Sequence, residues 1–147
     1  MSGYPDVEAV AAALGGKKVL RSDVRTMADL SRLVVAGLPF QSLLLVSSRY
    51  SLARRARIEQ AVLPRTTMLR REQSGVLNVA ESERLERIAR MTALAEHVLE
   101  SREAGQEFLV TPHPLFEGQA PLDLIATDLG ARRVEAVLWR IEYSLPV

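Results

Sequence analysis

The chain has 147 residues, no cysteine and a formal net charge of +1, and 48% of its residues are hydrophobic. This length and apolar content suffice for one or two compact units with buried cores. The absence of cysteine excludes disulfides, thiolate nucleophiles and cysteine-ligated metal sites. The best apolar run, Leu43 to Val46, is far shorter than the roughly 18 residues that a membrane-spanning helix needs, and Met1 to Asp6 lack the layout of a signal peptide. We therefore expect a cytoplasmic protein with no membrane partner.

The spacing of apolar residues predicts helices along nearly the whole chain. Gly15-Gly16 closes the first helix, because glycine readily adopts left-handed backbone angles. Lys17 to Arg25 is predicted to be a connector with an extended stretch at Val19-Leu20. Thr26 can cap a helix and Pro39 can start one. The helices predicted in this half are Pro5 to Leu14, Thr26 to Gly37, one beginning at Pro39, Leu52 to Val62, and Arg65 to Arg71, the last two separated by Pro64 and followed by Gly75.

The clearest helix is predicted from Val79 to Glu100. Asn78 and Glu81 have the spacing of a capping box at its start. Its apolar stripe, at spacings of three and four residues, consists of Leu85, Ile88, Ala89, Thr92, Ala95 and Leu99. The elements predicted after it are a helix from Glu103 to Val110, a turn from His113 to Gly118 that fills an apolar gap with Leu115 and Phe116, a helix from Pro121 to Gly130 with Leu122, Ile125 and Leu129 facing inward, and a last helix from Arg132 to Tyr143.

Catalytic motifs are absent from the sequence. There is no nucleophile elbow, no glycine-rich phosphate loop and no His-Glu-x-x-His. The two histidines, His97 and His113, have no metal-ligand spacing to each other or to a carboxylate cluster. His97 is expected at the surface or boundary of the long helix, and His113 is expected to hydrogen-bond to its own turn. We therefore predict a protein that is not an enzyme, with no catalytic residue, no metal site and no cofactor.

A basic segment occupies the middle of the chain. Between Arg49 and Arg71 there are seven arginines and one acidic residue, whereas the stretch from Glu72 to Glu107 has eight glutamates and four arginines. Clustered arginines can bind a phosphate backbone, and the same composition suits a solvated helix face. The two short helices around Pro64 have the layout of a helix-turn-helix, whose second helix presents its N-terminal residues to a DNA groove. A basic connector remains the alternative interpretation.

Two segments carry a resemblance to a known family. The central segment is Arg65-Thr66-Thr67-x-x-Arg70-Arg71, followed by Leu77 and by the run from Ala80 to Arg90. The C-terminal segment runs from Thr111-Pro112-His113-Pro114-Leu115-Phe116 through Pro121-Leu122-Asp123-Leu124-Ile125 and Gly130-Ala131 to Val134, and ends in Arg140-Ile141-Glu142-Tyr143. Over about residues 30 to 147, the chain resembles the Xre/MbcA/ParS-type antitoxins.

The resemblance implies an all-α protein in which an N-terminal Cro/repressor-like helix-turn-helix bundle is followed by a small helical toxin-binding domain. Proteins of this family pair with RES-domain toxins, which attack NAD or use it for ADP-ribosylation. Their C-terminal domain covers the NAD site of the toxin, and their N-terminal part supports homodimerisation and binding to the promoter of their own operon. The implied segments are a variable segment at 1–25, a degenerate Xre-like helix-turn-helix and dimerisation region at 26–77, a long connecting helix at 78–102 and a toxin-binding domain at 103–147.

The resemblance also implies two sets of site residues. The DNA-binding set is Arg65, Thr66, Thr67, Arg70 and Arg71. The toxin-binding set is Trp139, Arg140, Ile141, Glu142, Tyr143, Ser144, Leu145, Pro146 and Val147, together with His113 and Phe116 in the preceding turn. An apolar tail flanked by Arg140 and Glu142 can fill a pocket and form charged hydrogen bonds at its rim.

The chain departs from the pattern of the family at four positions. Val62 replaces a glycine in the turn of the helix-turn-helix, Trp139 and Ser144 replace common glycines, and Ala120 replaces a frequent threonine at a helix start. Trp139 suits both a core anchor and a toxin contact. An alternative function also stays open, namely a helix-turn-helix transcriptional regulator without a toxin partner, in which the C-terminal module dimerises or binds a different ligand.

Overall fold

The computed structural model of the chain describes residues 6–144, and these residues confirm the predicted all-α class. The β-type pairing found among them is an isolated bridge between Pro39 and Val76. None of the helices between residues 6 and 144 combines the length and the apolar content of a membrane-spanning segment. The α-helices are α1 (Val7–Ala13), α2 (Gly16–Leu20), α3 (Met27–Ala36), α4 (Phe40–Ser48), α5 (Leu52–Gln60), α6 (Met68–Ser74), α7 (Val79–Val98), α8 (Arg102–Val110), α9 (Pro121–Leu124) and α10 (Asp128–Glu142), with 3-10 helices at Arg65–Thr67 and Pro114–Phe116.

The described residues fall into two compact units. The N-terminal unit is Asp6–Ala89, and the C-terminal unit comprises residues 90–144. The division falls inside α7, so this helix contributes residues to both units. The N-terminal unit includes α1 and α2, which lie in the segment at 1–25 that was predicted to be variable. The segment boundaries at residues 26, 78 and 103 remain predictions about function.

The N-terminal unit is built on a core of large aliphatic side chains. Leu14, Leu38, Leu43 and Val46 are fully buried, and burying side chains of this size contributes on the order of 1.5–3 kcal/mol each. Ser42 is also fully buried, and its hydroxyl donates to the carbonyl oxygen of Leu14 at 2.6 Å. This bond satisfies a carbonyl at the end of α1, which has no partner inside the helix.

The predicted connector from Lys17 to Arg25 is wrong over its first part, because Gly16–Leu20 forms α2. Gly15 has φ +116°, and a Cβ there would lie 2.5 Å from the Cβ of Val19. The glycine therefore lets the chain turn tightly enough to begin a second helix, which buries Leu20. The next helix begins as predicted, since Thr26 and Asp29 form a capping box at the start of α3.

The C-terminal unit contains α8, α9 and α10. The last helix begins at Asp128, four residues earlier than predicted, because the Thr127 hydroxyl accepts from the Gly130 N–H at 3.0 Å and caps it. Gly130 therefore lies within α10 and does not end a helix. Leu129 was predicted to face inward and is 75% exposed, since the chain breaks between α9 and α10 and changes the helical phase. Leu115 is likewise 41% exposed, so Phe116 fills the apolar gap without it.

Candidate functional site

The helix-turn-helix predicted around Pro64 is present in the N-terminal unit. It consists of α5, a turn, and a recognition segment formed by the 3-10 helix Arg65–Thr67 and α6. Val62, which stands where the family has glycine, is 1% exposed. Its carbonyl oxygen accepts from the Arg84 side chain at 2.7 Å. The turn is therefore closed by a buried side chain and a charged hydrogen bond from α7, so it does not need a glycine.

Part of the basic segment stabilises the fold instead of facing solvent. Arg55 donates to the carbonyl oxygens of Tyr50 at 3.2 Å and Ser48 at 3.5 Å, near the end of α4. The acidic residue of the segment, Glu59, accepts from the buried hydroxyl of Ser47 at 2.7 Å. These bonds hold α5 against α4 and so fix the helix that precedes the recognition segment.

Arg71 anchors the recognition segment to α7. Its Nε donates to Glu81 Oε1 at 2.6 Å, and the same oxygen accepts from the Asn78 N–H at 2.9 Å. The side chain of Arg71 is 19% exposed and that of Glu81 is 4% exposed. Burial raises the pKa of the Glu81 carboxyl, but the hydrogen bonds from Arg71 and Asn78, with the charges of Arg71 and Arg84, hold that pKa below its usual range. Arg71 was predicted to contact DNA, and in this geometry its guanidinium holds α6 in place.

The exposed face of the recognition segment differs in part from the predicted DNA-binding set. Thr67 and Arg71 are half-buried and lie with Met68 on the inner side. The exposed residues of the segment are Arg65, Thr66, Leu69, Arg70, Glu72, Gln73 and Ser74, of which we call Arg65, Thr66, Leu69, Arg70 and Gln73 the outer face. Leu69, which is 64% exposed, and Gln73 were missed from sequence. Leu69 is four residues after Arg65 and Gln73 is three residues after Arg70, and these spacings place both on that face. The sequence pattern does not show which face of a short helix is buried.

Aromatic and aliphatic side chains are exposed at the end of α10, with Ile141 on a different side of the helix from Trp139 and Tyr143. The rings of Trp139 and Tyr143 stack, with centroids 5.8 Å apart and planes inclined by 17°. Tyr143 is 49% exposed and Ile141 is 37% exposed. The indole Nε1 of Trp139 is buried and has no hydrogen-bond partner among the described residues. The nitrogen edge of Trp139 therefore faces inward, and its ring packs against the exposed Tyr143. A toxin contact of Trp139 stays a prediction.

An ion pair and a histidine–carboxylate hydrogen bond in the C-terminal unit hold α10 in position. Arg90 pairs with Glu135, and both side chains are largely buried. His97 Nε2 lies 2.9 Å from Glu142 Oε2, next to the aromatic end of α10. His97 is exposed, as predicted from sequence, and its ring contacts the same helix end that was predicted to bind a partner.

The turn before α9 is closed by His113. The ring Nδ1 accepts from the Leu115 N–H at 3.2 Å, so the predicted hydrogen bond of His113 to its own turn is confirmed. Phe116 is 1% exposed and packs near the rings of His113 and Phe108. The guanidinium of Arg133 lies 5.8 Å from the centroid of the Phe116 ring, and its Nη2 donates to Glu117 at 2.9 Å. Phe116 was predicted to contact a partner, and its burial limits it to supporting the turn.

The last three residues of the predicted toxin-binding set, Leu145, Pro146 and Val147, lie outside the described residues. The described members of the set divide into two groups. Trp139 to Ser144 lie together at the end of α10, whereas His113 and Phe116 belong to the separate turn. Between residues 6 and 144, no group of three or more histidine and carboxylate side chains is arranged to hold a metal ion.

Comparison with known proteins places both units in one family. Residues 29–90 match the antitoxin Xre-like helix-turn-helix domain. Residues 94–143 match the antitoxin Xre/MbcA/ParS C-terminal toxin-binding domain. A curated relative, "Antitoxin Xre" of Pseudomonas putida (strain KT2440), is 35% identical over 83 residues, which are 56% of this chain and 52% of the relative. The chain thus spans about half the length of that relative. The two domain matches, in this order and covering most of the chain, show that the chain belongs to the Xre/MbcA/ParS-type antitoxins.

Proposed function

We propose that this chain is the antitoxin of a type II toxin-antitoxin pair and that its C-terminal unit neutralises the toxin by direct binding. The observation that carries the proposal is the exposure of apolar side chains at the end of α10. Ile141 and Tyr143 are exposed there, within the residues that match a toxin-binding domain. Exposed aromatic side chains backed by a rigid neighbour are typical of residues that dominate binding energy.

The toxin in this proposal is a RES-domain enzyme whose NAD site is covered by the antitoxin. Support comes from the family resemblance and from the chemistry of the helix end. Arg140 and Glu142 flank the apolar Ile141, and such a mixture can fill a pocket while forming hydrogen bonds at its rim. Inhibition would be steric, which requires no catalytic residue and no cofactor of the antitoxin. A cytoplasmic location follows from this role, since NAD and promoter DNA are both found there.

The N-terminal unit would dimerise and bind the promoter of its own operon. The exposed face formed by Arg65, Thr66, Leu69, Arg70 and Gln73 supports this part of the proposal. Arginine can donate two hydrogen bonds to guanine, glutamine can form two hydrogen bonds with adenine, and an apolar side chain can contact the thymine methyl group. The face therefore offers groups for base recognition as well as charge for the phosphate backbone.

The experiment that tests the proposal is co-expression with the toxin encoded beside this chain. We expect the full chain to restore growth and to co-purify with the toxin, and a chain truncated after Trp139 to do neither. Because truncation shortens α10, the double variant Ile141→Asp/Tyr143→Ala provides a second test with the helix complete. Arg70→Ala is the matched control, and it should rescue growth. A truncated chain that still neutralises the toxin would contradict the proposal.

A transcriptional regulator without a toxin partner is the second candidate function. The observation that favours it is the same exposed face of the recognition segment, which requires no toxin to act. The two functions predict different results in one experiment. If the neighbouring protein is harmless and never associates with this chain, whereas promoter DNA binds and Arg70→Ala weakens that binding, the chain is a regulator without a toxin partner.

A further inference from the structure

The N-terminal unit has an open groove lined by α2, α4 and the end of α6. Its volume is about 560 Å³. Two apolar side chains lie exposed in it, Leu44 of α4 at 41% and Val76 just after α6 at 46%. Exposed aliphatic side chains that share one concave surface are typical of a contact with another macromolecule. We refer to this surface as the α2–α4–α6 groove.

The two sides of the α2–α4–α6 groove carry opposite charges. Lys18 and Arg21 line it where α2 ends, and Glu72 lines it from α6. All three residues are exposed. Among the ion pairs between residues 6 and 144, none joins these three side chains to one another or to any other group. Their charges are therefore available to a molecule that lies in the groove.

We propose that the α2–α4–α6 groove is the surface through which two copies of this chain associate about a two-fold axis. In a two-fold dimer the same patch meets itself, so each contact occurs twice. Lys18 and Arg21 of one copy would then face Glu72 of the other, and the reverse contact would form as well. Leu44 and Val76 of both copies would be shielded from water near the axis. The proposal rests on the homodimer proposed above and specifies its surface.

Other occupants fit the groove less well. The polar side chains that line it, namely Lys18, Arg21, Gln41 and Glu72, are all exposed, whereas small-molecule sites orient their ligand with a few precisely placed polar groups in a largely enclosed cavity. A nucleic acid backbone carries only negative charge, whereas the groove presents Glu72 together with Lys18 and Arg21. The partner must carry a negative charge to face Lys18 and Arg21 and a positive charge to face Glu72, and a second copy of the chain carries both.

The proposed dimer leaves the start of the recognition segment accessible. Arg65 and Glu72 are seven residues apart along this segment, which corresponds to roughly 10 Å along a helix. Arg65 and Thr66 can therefore remain exposed while Glu72 contacts the other copy. The start of the segment can therefore bind DNA in the proposed dimer.

Charge reversal tests the proposal, with sedimentation equilibrium of the purified full chain as the measurement. We expect the wild type to be dimeric. Lys18→Glu/Arg21→Glu should place like charges opposite Glu72, and Glu72→Arg should do the same opposite Lys18 and Arg21. Each variant should weaken association by roughly tenfold or more, because like charges in contact are costly. Glu83→Arg reverses an exposed charge on α7, outside the groove, and is the matched control that should remain dimeric.

Mixing the two charge-reversed variants gives the most specific result. In an equimolar mixture, the two new glutamates of the Lys18→Glu/Arg21→Glu copy face the new arginine of the Glu72→Arg copy. In the second contact, the unchanged Glu72 of the first copy faces the unchanged Lys18 and Arg21 of the second. We therefore expect heterodimers from two variants that are each monomeric alone. Circular dichroism of each variant should match the wild type, which separates loss of association from loss of fold.

Three outcomes would overturn the proposal. Leu44→Asp places a charge in the apolar part of the groove and should also weaken association. If this variant and both charge-reversed variants remain dimeric, the homodimer uses another surface and only the proposed location of the interface is wrong. If the wild type is monomeric, both the groove and the proposed homodimer fail, while toxin neutralisation is judged separately by co-purification. If the variants are monomeric but their mixture does not associate, the charge pairing across a two-fold axis is wrong.

Discussion

Arg70 and Arg71 are adjacent in sequence and lie in different environments. Arg70 is exposed on the outer face of the recognition segment, whereas Arg71 donates to the buried carboxylate of Glu81. We expect Arg70→Ala to weaken promoter binding without changing the melting temperature. Arg71→Ala should lower the melting temperature, because it leaves the Glu81 carboxylate without its cation. Thermal unfolding and DNA titration of both variants separate the roles. Equal melting temperatures would contradict the anchoring role of Arg71.

Position 130 has no room for a side chain, so it requires glycine. A Cβ at this position would overlap the carbonyl oxygen of Leu124 at the end of α9. Helix propensity alone would make Gly130→Ala stabilising by about 1 kcal/mol. We expect the steric overlap to outweigh the gain in helix propensity, so that Gly130→Ala destabilises the C-terminal unit by about 1–3 kcal/mol. The emission of Trp139, the one tryptophan of the chain, reports unfolding of this unit. Ala136→Gly, at an exposed position of α10, measures the propensity effect alone and is the control.

The capping box at the start of α7 predicts a dependence of stability on pH. Since the pKa of Glu81 is lowered in the folded state, its ionised form is favoured by folding. Its stabilising contribution is complete above the ordinary pKa of 4.5 and is lost as the pH falls through the lowered value. We expect Glu81→Gln to remove part of the loss of stability on acidification. Urea unfolding of both proteins between neutral and acidic pH measures this, and parallel curves would contradict it.

Elements whose signals are local could be predicted from sequence. The capping boxes at Thr26 and Asn78 depend on residues three positions apart, and both are present in the structure. The start of α10 was misplaced because Gly130 is typical of a helix end when only local sequence is considered. Its actual role is to permit a close approach of α9 and α10, and such a requirement depends on packing between elements.

Site residues were harder to predict than elements. The resemblance pointed to the recognition segment and to the end of α10, which lie within the matched domains, and the roles of their individual residues stay predictions. It could not distinguish Arg70 from Arg71, since their difference depends on a partner ten positions away in the next helix. The burial of Phe116 and the exposure of Leu69 depend on how helices pack, and helical periodicity gives no information on this for elements of three to seven residues.

At the scale of the whole molecule, two compact units are expected to perform separable functions. Variants of the outer face, such as Arg65→Ala/Arg70→Ala, should lose promoter affinity and still neutralise the toxin. They should also reduce the slope of log affinity against log salt concentration by about 0.9 for each phosphate that the variant no longer neutralises. Binding isotherms at several salt concentrations give this slope. An unchanged slope would mean that Arg65 and Arg70 do not bind phosphates.

The affinity of the purified chain for its toxin, measured by isothermal titration calorimetry, tests the central claim most directly. Ile141→Asp/Tyr143→Ala alters the proposed surface, and Leu129→Asp alters an exposed apolar position at the other end of α10. We expect the first variant to bind roughly a hundredfold or more weakly, as is typical of residues that dominate an interface, and the second to bind like the wild type. If Leu129→Asp abolishes binding while Ile141→Asp/Tyr143→Ala leaves it intact, the toxin does not bind at the end of α10.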